Sequence, residues 1–356
     1  MASQKLDTSA IIDKIYDIPA GPQRTAAYRK AIQLADEAKD FSAGMKFRAS
    51  MAFFTPFYDD SPIILPVCAE FFALVEEYPE LSDAADCFYT ALKAAALTLS
   101  LPQLELSICE KMLARVEEAA HIVSQGAVRR FHMLCREFYT YIDPVLAKEH
   151  YTAFCKEPRG EYSDCTACEQ NAKVWYNMKS GNFRLAREMA NPIFSGKKVC
   201  HDVPWQTYAL FLEYYLDKKE LDSELSTEVK RLQSKLLKGG CRDKSDLANL
   251  GTVLRAMAYT NPRKGFNLLP HALQLSNGMW NQYGLYYFYK GAWCCCRAAD
   301  GLGLSLMPPQ DHPLQQNKQL DAATLAEWFH SQAVKIAEQF DQRNGTDYYK
   351  KDLALA

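Results

Sequence analysis

Tyr139-Thr140-Tyr141-Ile142-Asp143-Pro144-Val145 is the stretch on which the fold turns. An aromatic-rich helix end runs into a short acidic residue, and a proline opens the next helix. At the first helical turn the missing proline N–H would have had no intrahelical partner, and the fixed φ already suits a helix. The residue before proline is pushed out of the α region, which closes the preceding helix. The Asp143 oxygen is placed to accept from a free first-turn N–H. Ser61-Pro62 after Phe57-Tyr58, and Asn261-Pro262 after Tyr259, repeat the same punctuation. Taken with Pro22, Pro102, and the turns at Asn182 and Asp222, the beats fall at intervals of 40, 40, 42, 38, 40 and 40 residues. A fixed period of that size marks stacked helical hairpins, none of which buries its own apolar face alone.

The chain has 356 residues, more than one compact core usually takes, so two domains or an elongated stack are expected. Hydrophobic residues make up 48% and charged residues 24%, with a net charge of −2 and both signs interspersed. That balance argues against a nucleic-acid footprint spread over the surface. No apolar run is long enough to span a bilayer, and Met1 to Asp17 carries acidic residues without the apolar centre of a secretion signal. With no export signal, twelve cysteines point to a reducing compartment, and the expected location is cytoplasmic. Cys68, Cys87, Cys109, Cys135 and Cys155 fit as small hydrophobes within helical patterns, and Cys294, Cys295 and Cys296 face three sides of one helix.

Helical periodicity dominates, with no run of strand alternation, so the fold class is all-α. Expected helices include Gln103–Ala119, Cys165–Lys179, Phe183–Phe194, Pro204–Asp217, Lys244–Tyr259, Arg263–Leu275 and Met279–Asp300. Glu157-Pro158-Arg159-Gly160 breaks the pattern. The expected organisation is one continuous solenoid: residues 1–160 and 161–300 as two runs of repeats, 301–320 as a loop, and 321–356 as a capping helix beginning at Asp321 and running to about Phe340.

From Asp164 to Pro192 the chain resembles the tetratricopeptide repeat. Trp175 and Tyr176 lie on the first helix, Gly181-Asn182-Phe183 forms the turn, Ala186 and Ala190 follow, and Pro192 comes late. Asp164-Cys165-Thr166-Ala167-Cys168, with Cys200 and Val203-Pro204, is similar to an uncharacterised bacterial group of such repeat proteins. The closer likeness covers about residues 125–225, and the period departs from the usual thirty-four. The resemblance implies a right-handed superhelical stack and a binding role, and it brings no catalytic residues.

The sharpest local signal is Cys165-x-x-Cys168 with Cys200 and His201. Thiolate and imidazole suit tetrahedral zinc. If Cys165 starts one helix and Cys200 lies just past its partner, the hairpin brings their ends together. Adjacent Cys200 and His201 make an awkward pair of ligands, a second Cys-x-x-Cys is missing, and plain packing at the hairpin base is the alternative. Phosphate-binding glycine loops, a serine-nucleophile elbow and a paired-histidine zinc helix are lacking. Aromatics gather at residues 205–215 and 283–293, too broadly for one buried stripe. Expected partner-facing residues are Gln170, Lys173, Asn177, Tyr208, Asn249, Arg255, Gln282 and Tyr286, on helices that would line a concave wall. The expected function is non-enzymatic protein or peptide binding on that wall. A sensor closing on a small peptide or metabolite, and a zinc-dependent protein using the cysteines, are the alternatives. The oligomeric state is open.

Overall fold

The computed structural model describes residues 5–55, 63–123, 126–218, 223–314 and 318–356. The protein is all-α. Its helices are α1 Thr8–Tyr16, α2 Pro22–Ala38, α3 Phe41–Phe54, α4 Ile64–Glu77, α5 Ala84–Leu99, α6 Leu106–Val123, α7 Ala127–Tyr139, α8 Pro144–Lys156, α9 Thr166–Lys179, α10 Phe183–Phe194, α11 Trp205–Leu216, α12 Ser223–Gly239, α13 Leu247–Thr260, α14 Pro262–Phe266, α15 Leu269–Ser276, α16 Gln282–Ala299, α17 Ala322–Asn344 and α18 Tyr348–Ala354. Short 3-10 turns cover Pro79–Leu81 and Lys244–Asp246. Contacts divide the chain into two compact units: residues 1–134 with 154–163, and residues 135–153 with 164–356. The hairpin tip 135–153 thus groups with the second unit, although the expected division put it in the first.

In the first unit, Asp40 caps α3 by accepting from Ala43 N at 3.1 Å and also takes Leu6 N at 3.0 Å. Met45, Phe47 and Ala49 of α3 and Phe71 of α4 are buried. Arg48 bridges Asp36 of α2 at 2.8 Å and Glu70 of α4 at 3.0 Å. Lys46 meets Asp86 at 2.8 Å and Arg115 meets Glu76 at 2.6 Å, partners 40 and 39 residues apart. Exposed pairs of this kind contribute only about 0–1 kcal/mol each, so the apolar faces hold the unit.

In the second unit, α9 and α10 form a hairpin around Gly181, whose φ of 79° is free of strain only without a Cβ. Asn182 N donates to Asn177 O at 2.8 Å and closes the turn. Phe183 stacks on Tyr214 with ring centroids 4.2 Å apart, joining α10 to α11. Val174, Phe211, Leu212, Val229, Leu232, Leu236, Val253 and Met257 form a core fed by α9, α11, α12 and α13. Helices α13 and α16 touch backbone to backbone: a Cβ on Gly251 would fall on Tyr287, and one on Gly291 would fall on Gly251.

Pro22, Pro144 and Pro262 open α2, α8 and α14, and the Asp143 and Asn261 side chains accept from first-turn amides as expected. Pro62 and Asp222 lie outside the described residues. Pro102 departs from the pattern: it sits in a turn, and α6 begins only at Leu106. The helix expected over 263–275 is two, α14 and α15, because Pro270 has no N–H to offer the Phe266 carbonyl. The 301–320 loop contains a two-residue antiparallel ladder, Ser305–Leu306 against Leu320–Asp321. The final segment is not one capping helix. α17 runs on to Asn344, Gly345 turns the chain at φ 66°, and α18 follows.

The α13–α16 contact yields a direct test. Gly291→Ala is expected to destabilise the protein by about 3 kcal/mol or more, since a rigid backbone offers no room for overpacking to relax. Gly284→Ala, whose added Cβ meets nothing closer than 3.5 Å, is expected to be tolerated. Denaturant unfolding of the two variants checks the difference.

Candidate functional site

Two constellations in the second unit bring chemistry-bearing side chains together. In the first, Cys165 is the N-cap of α9, and its sulfur accepts from Cys168 N at 3.3 Å. Cys200 arrives from the loop after α10. Gly196, at φ 75°, turns that loop. Lys198 N donates to Pro192 O at 2.9 Å, and Cys200 N to Val203 O at 2.8 Å. Gln170 of α9 donates to Met189 O at 2.7 Å and accepts from Lys198 Nζ at 2.9 Å, fastening the loop to α9. Cys168 Sγ and Cys200 Sγ lie 3.5 Å apart, and all three sulfurs fall within 4.8 Å of one another. Burial raises the Cys168 thiol pKa well above its ordinary value, and the Asp164 charge and neighbouring thiols push the same way. His201 stays outside: its ring faces Asp202 at 3.1 Å and is largely exposed.

The second constellation holds α18. Asp341 of α17 accepts from Tyr349 N at 2.9 Å and Lys350 N at 2.8 Å, satisfying the first amides of that short helix. At its far end Arg255 of α13 donates to Leu355 O at 2.8 Å. The Tyr286 hydroxyl of α16 lies 2.7 Å from the Asp352 carboxylate and 3.0 Å from Tyr349 O. Lys290, one turn further along α16, reaches Asp352 at 2.9 Å. Lys179 of α9 donates to the Tyr348 hydroxyl at 2.8 Å. Tyr141 packs edge-on to Tyr348 with centroids 4.6 Å apart, and Phe340 stacks on Tyr349 at 4.6 Å.

Beneath α18, Arg255 bridges Glu213 and Asp217, each at 2.7 Å, and Lys290 lies 3.4 Å from Glu213. The Arg255 and Lys290 side chains are 0% and 1% exposed, so water cannot solvate either charge. Burial alone would raise the Glu213 carboxyl pKa, but Lys290 and Arg255 outweigh it and hold the group down at about 2. Burial likewise works against the Lys290 ammonium, yet Glu213 and Asp352 keep its pKa above the usual lysine value.

These positions correct the expected partner-facing wall. Arg255 and Tyr286 are fully buried and face this internal cluster. Asn177 is buried too, its amide on the Tyr151 hydroxyl at 2.9 Å. The Tyr208 ring belongs to the core. A polar or aromatic residue on a half-apolar helix finds a partner inside as readily as outside, and for these four it did. Gln170, Lys173, Asn249 and Gln282 are half-buried. Asn249 donates to Asp246 at 3.3 Å and Gln282 to Trp280 O at 3.1 Å. Sequence reading missed Lys179, Glu213, Lys290 and Asp352. A signal was present: Lys290 is the one charged residue from Gly284 to Cys296, and Glu213 the one charged residue from Tyr208 to Leu216.

Comparison with known protein families, with curated proteins and with solved structures finds no match to this chain.

The buried carboxylate makes stability depend on acidity. The folded protein keeps Glu213 ionised to lower pH than an unfolded chain does. Its contribution is therefore complete above the ordinary glutamate pKa and is lost as pH falls toward 2. Thermal unfolding followed from pH 5 to pH 2.5 is expected to show a steep loss of stability. Lys290→Met should cost about 3–5 kcal/mol at neutral pH, because it leaves the Asp352 carboxylate buried without its cation and Glu213 with Arg255 alone.

Proposed function

We propose that the protein is a non-enzymatic binding protein of a reducing, cytoplasmic compartment, an α-solenoid of hairpins whose inner face takes a short helical peptide segment. The observation that carries this reading is the way α9, α13 and α16 hold α18. Lys179, Arg255, Tyr286 and Lys290 grip a seven-residue helix through two main-chain carbonyls, one carboxylate and one tyrosine hydroxyl. Fixed cations and aromatic rings that read backbone carbonyls and an acidic side chain are the chemistry of a peptide-recognising face. Here the chain's own segment satisfies that face. The favoured partner is a helix of the same chemistry, an aromatic pair followed three residues later by a carboxylate, as in Tyr348-Tyr349 and Asp352.

The solenoid part rests on ion pairs and hydrogen bonds that join residues about one period apart: Lys46 with Asp86, Arg115 with Glu76, and Arg255 with Glu213 and Asp217. The tetratricopeptide-like pattern around Trp175, Gly181 and Ala186 adds to it. The compartment rests on the twelve cysteines of the chain, among them Cys168 and Cys200, whose sulfurs lie 3.5 Å apart and so are not bonded to each other. A membrane role has no support from the helices, since no helix among the described residues is long and apolar enough to cross a bilayer.

A tethered segment competes at an effective concentration of about millimolar, so an external peptide gains access only when α18 is loosened. Tyr348→Ala combined with Asp352→Ala should loosen it. That variant is expected to bind a labelled peptide carrying residues 346–356 at least tenfold more tightly than the unaltered protein, by fluorescence anisotropy. Adding Lys290→Met should abolish the gain. A loosened variant that keeps its helical circular dichroism but ignores the peptide, or binds a scrambled peptide equally, removes the reading.

A further inference from the structure

We propose that Cys165, Cys168 and Cys200 together hold one zinc ion, with a fourth position open to water. The sulfur spacing is the first reason. At a Zn–S length of about 2.3 Å, tetrahedral geometry separates bound sulfurs by about 3.8 Å. The Cys168 and Cys200 sulfurs are 3.5 Å apart, and no pair in the trio exceeds 4.8 Å. Each sulfur–sulfur separation thus needs to change by about 1 Å at most to reach that geometry.

The frame is built from parts that do not depend on the ion. Cys165 and Cys168 are one helical turn apart at the start of α9, and Cys168 N already donates to the Cys165 sulfur. The Cys200 loop is fastened by Lys198 N on Pro192 O, by Lys198 Nζ on Gln170, and by Cys200 N on Val203 O. Asn171 of α9 accepts from the Thr207 hydroxyl at 2.7 Å and donates to Gln206 at 3.0 Å, locking the start of α11 to the same helix. The loop is therefore held at both ends with its thiol turned toward α9.

The chemistry of the donors supplies the second reason. Thiolate sulfur suits zinc, and a dication stabilises each thiolate it binds. Binding exchanges up to three thiol protons, released to the buffer, for one Zn²⁺, so affinity rises with pH. Cys165 is exposed and gives the ion a way in. His201, with its ring on Asp202, is not the fourth ligand. Elsewhere the cysteines lack this arrangement: Cys165, Cys168 and Cys200 form the one such group of three among the described residues.

The test uses the full chain, reduced, stripped with a chelator and reloaded anaerobically with zinc. Elemental analysis is expected to find about one zinc per chain, and cobalt in its place should give the intense visible and sulfur charge-transfer bands of a tetrahedral thiolate site. Cys165→Ser, Cys168→Ser and Cys200→Ser should each lower zinc affinity at least a hundredfold, with helical circular dichroism retained. Cys155→Ser, an exposed cysteine outside the cluster, should not. Zinc binding should also weaken steeply between pH 7.5 and pH 5.5. The proposal is overturned if the reloaded chain holds no stoichiometric zinc. It is equally overturned if the three serine variants hold zinc as tightly as the parent, if copper(I) but not zinc is retained, or if Cys168 and Cys200 are recovered as a disulfide under these conditions.

Discussion

Arg255 and Lys290 are two cations without water, and the second unit is arranged around them. Leaving either unpaired would cost several kcal/mol, so each must be met by carboxylates and carbonyls from elsewhere in the chain. Glu213 and Asp217 come from the end of α11, Asp352 from α18, and the Leu355 carbonyl from just beyond it. A single cluster thereby dictates where α11, α13, α16 and α18 stand relative to one another. Apolar contact alone would leave their rotation about the helix axes far less determined, because it has no direction.

The close approach of α13 and α16 belongs to the same design. Gly251 and Gly291 let the two backbones touch, which carries Arg255 and Lys290, each one turn or less away, to the same side of the interface. Without glycine at those places the helices would stand further apart, and one carboxylate could no longer serve both cations. Glu213 does serve both, at 2.7 and 3.4 Å. The α18 segment then completes a charge balance that α11, α13 and α16 leave open, and the proposed binding of a helix on their common face rests on that balance.

The cysteine cluster works by a different logic. It lies at the edge of the unit, where α9 begins and the α10–α11 loop returns, and it is held by backbone hydrogen bonds more than by burial. Half-exposed thiols gathered in such a frame suit a ligand that enters from solvent. The consecutive Cys294, Cys295 and Cys296 show the contrast: all three are buried within α16, and burial raises each thiol pKa. Those are packing groups.

Much of this was legible residue by residue. Pro22, Asp143-Pro144 and Asn261-Pro262 announced helix starts because the constraint is local: a missing N–H and a capping oxygen act within one turn. Gly181-Asn182-Phe183 announced a hairpin for the same reason. Cys165, Cys168 and Cys200 could be suspected of meeting, since a hairpin returns the chain to its origin after about thirty residues. Pro102 misled, because proline permits a helix start without requiring one there. Arg255, Tyr286 and Asn177 misled in another way. A polar residue on a half-apolar helix shows the same pattern whether its partner is water, another protein or a distant part of its own chain.

The sequence by itself determined the helical class, the main helix starts and the placing of three thiols at one hairpin, because each depends on neighbours within a few turns. Only the tertiary structure decided that Lys290 and Glu213 pair, that α18 lies on Arg255 and Tyr286, and that His201 is left out of the sulfur cluster. Those outcomes join residues 62 to 100 positions apart, or turn on the direction of one ring, and the strength of a buried charge depends on what surrounds it in space.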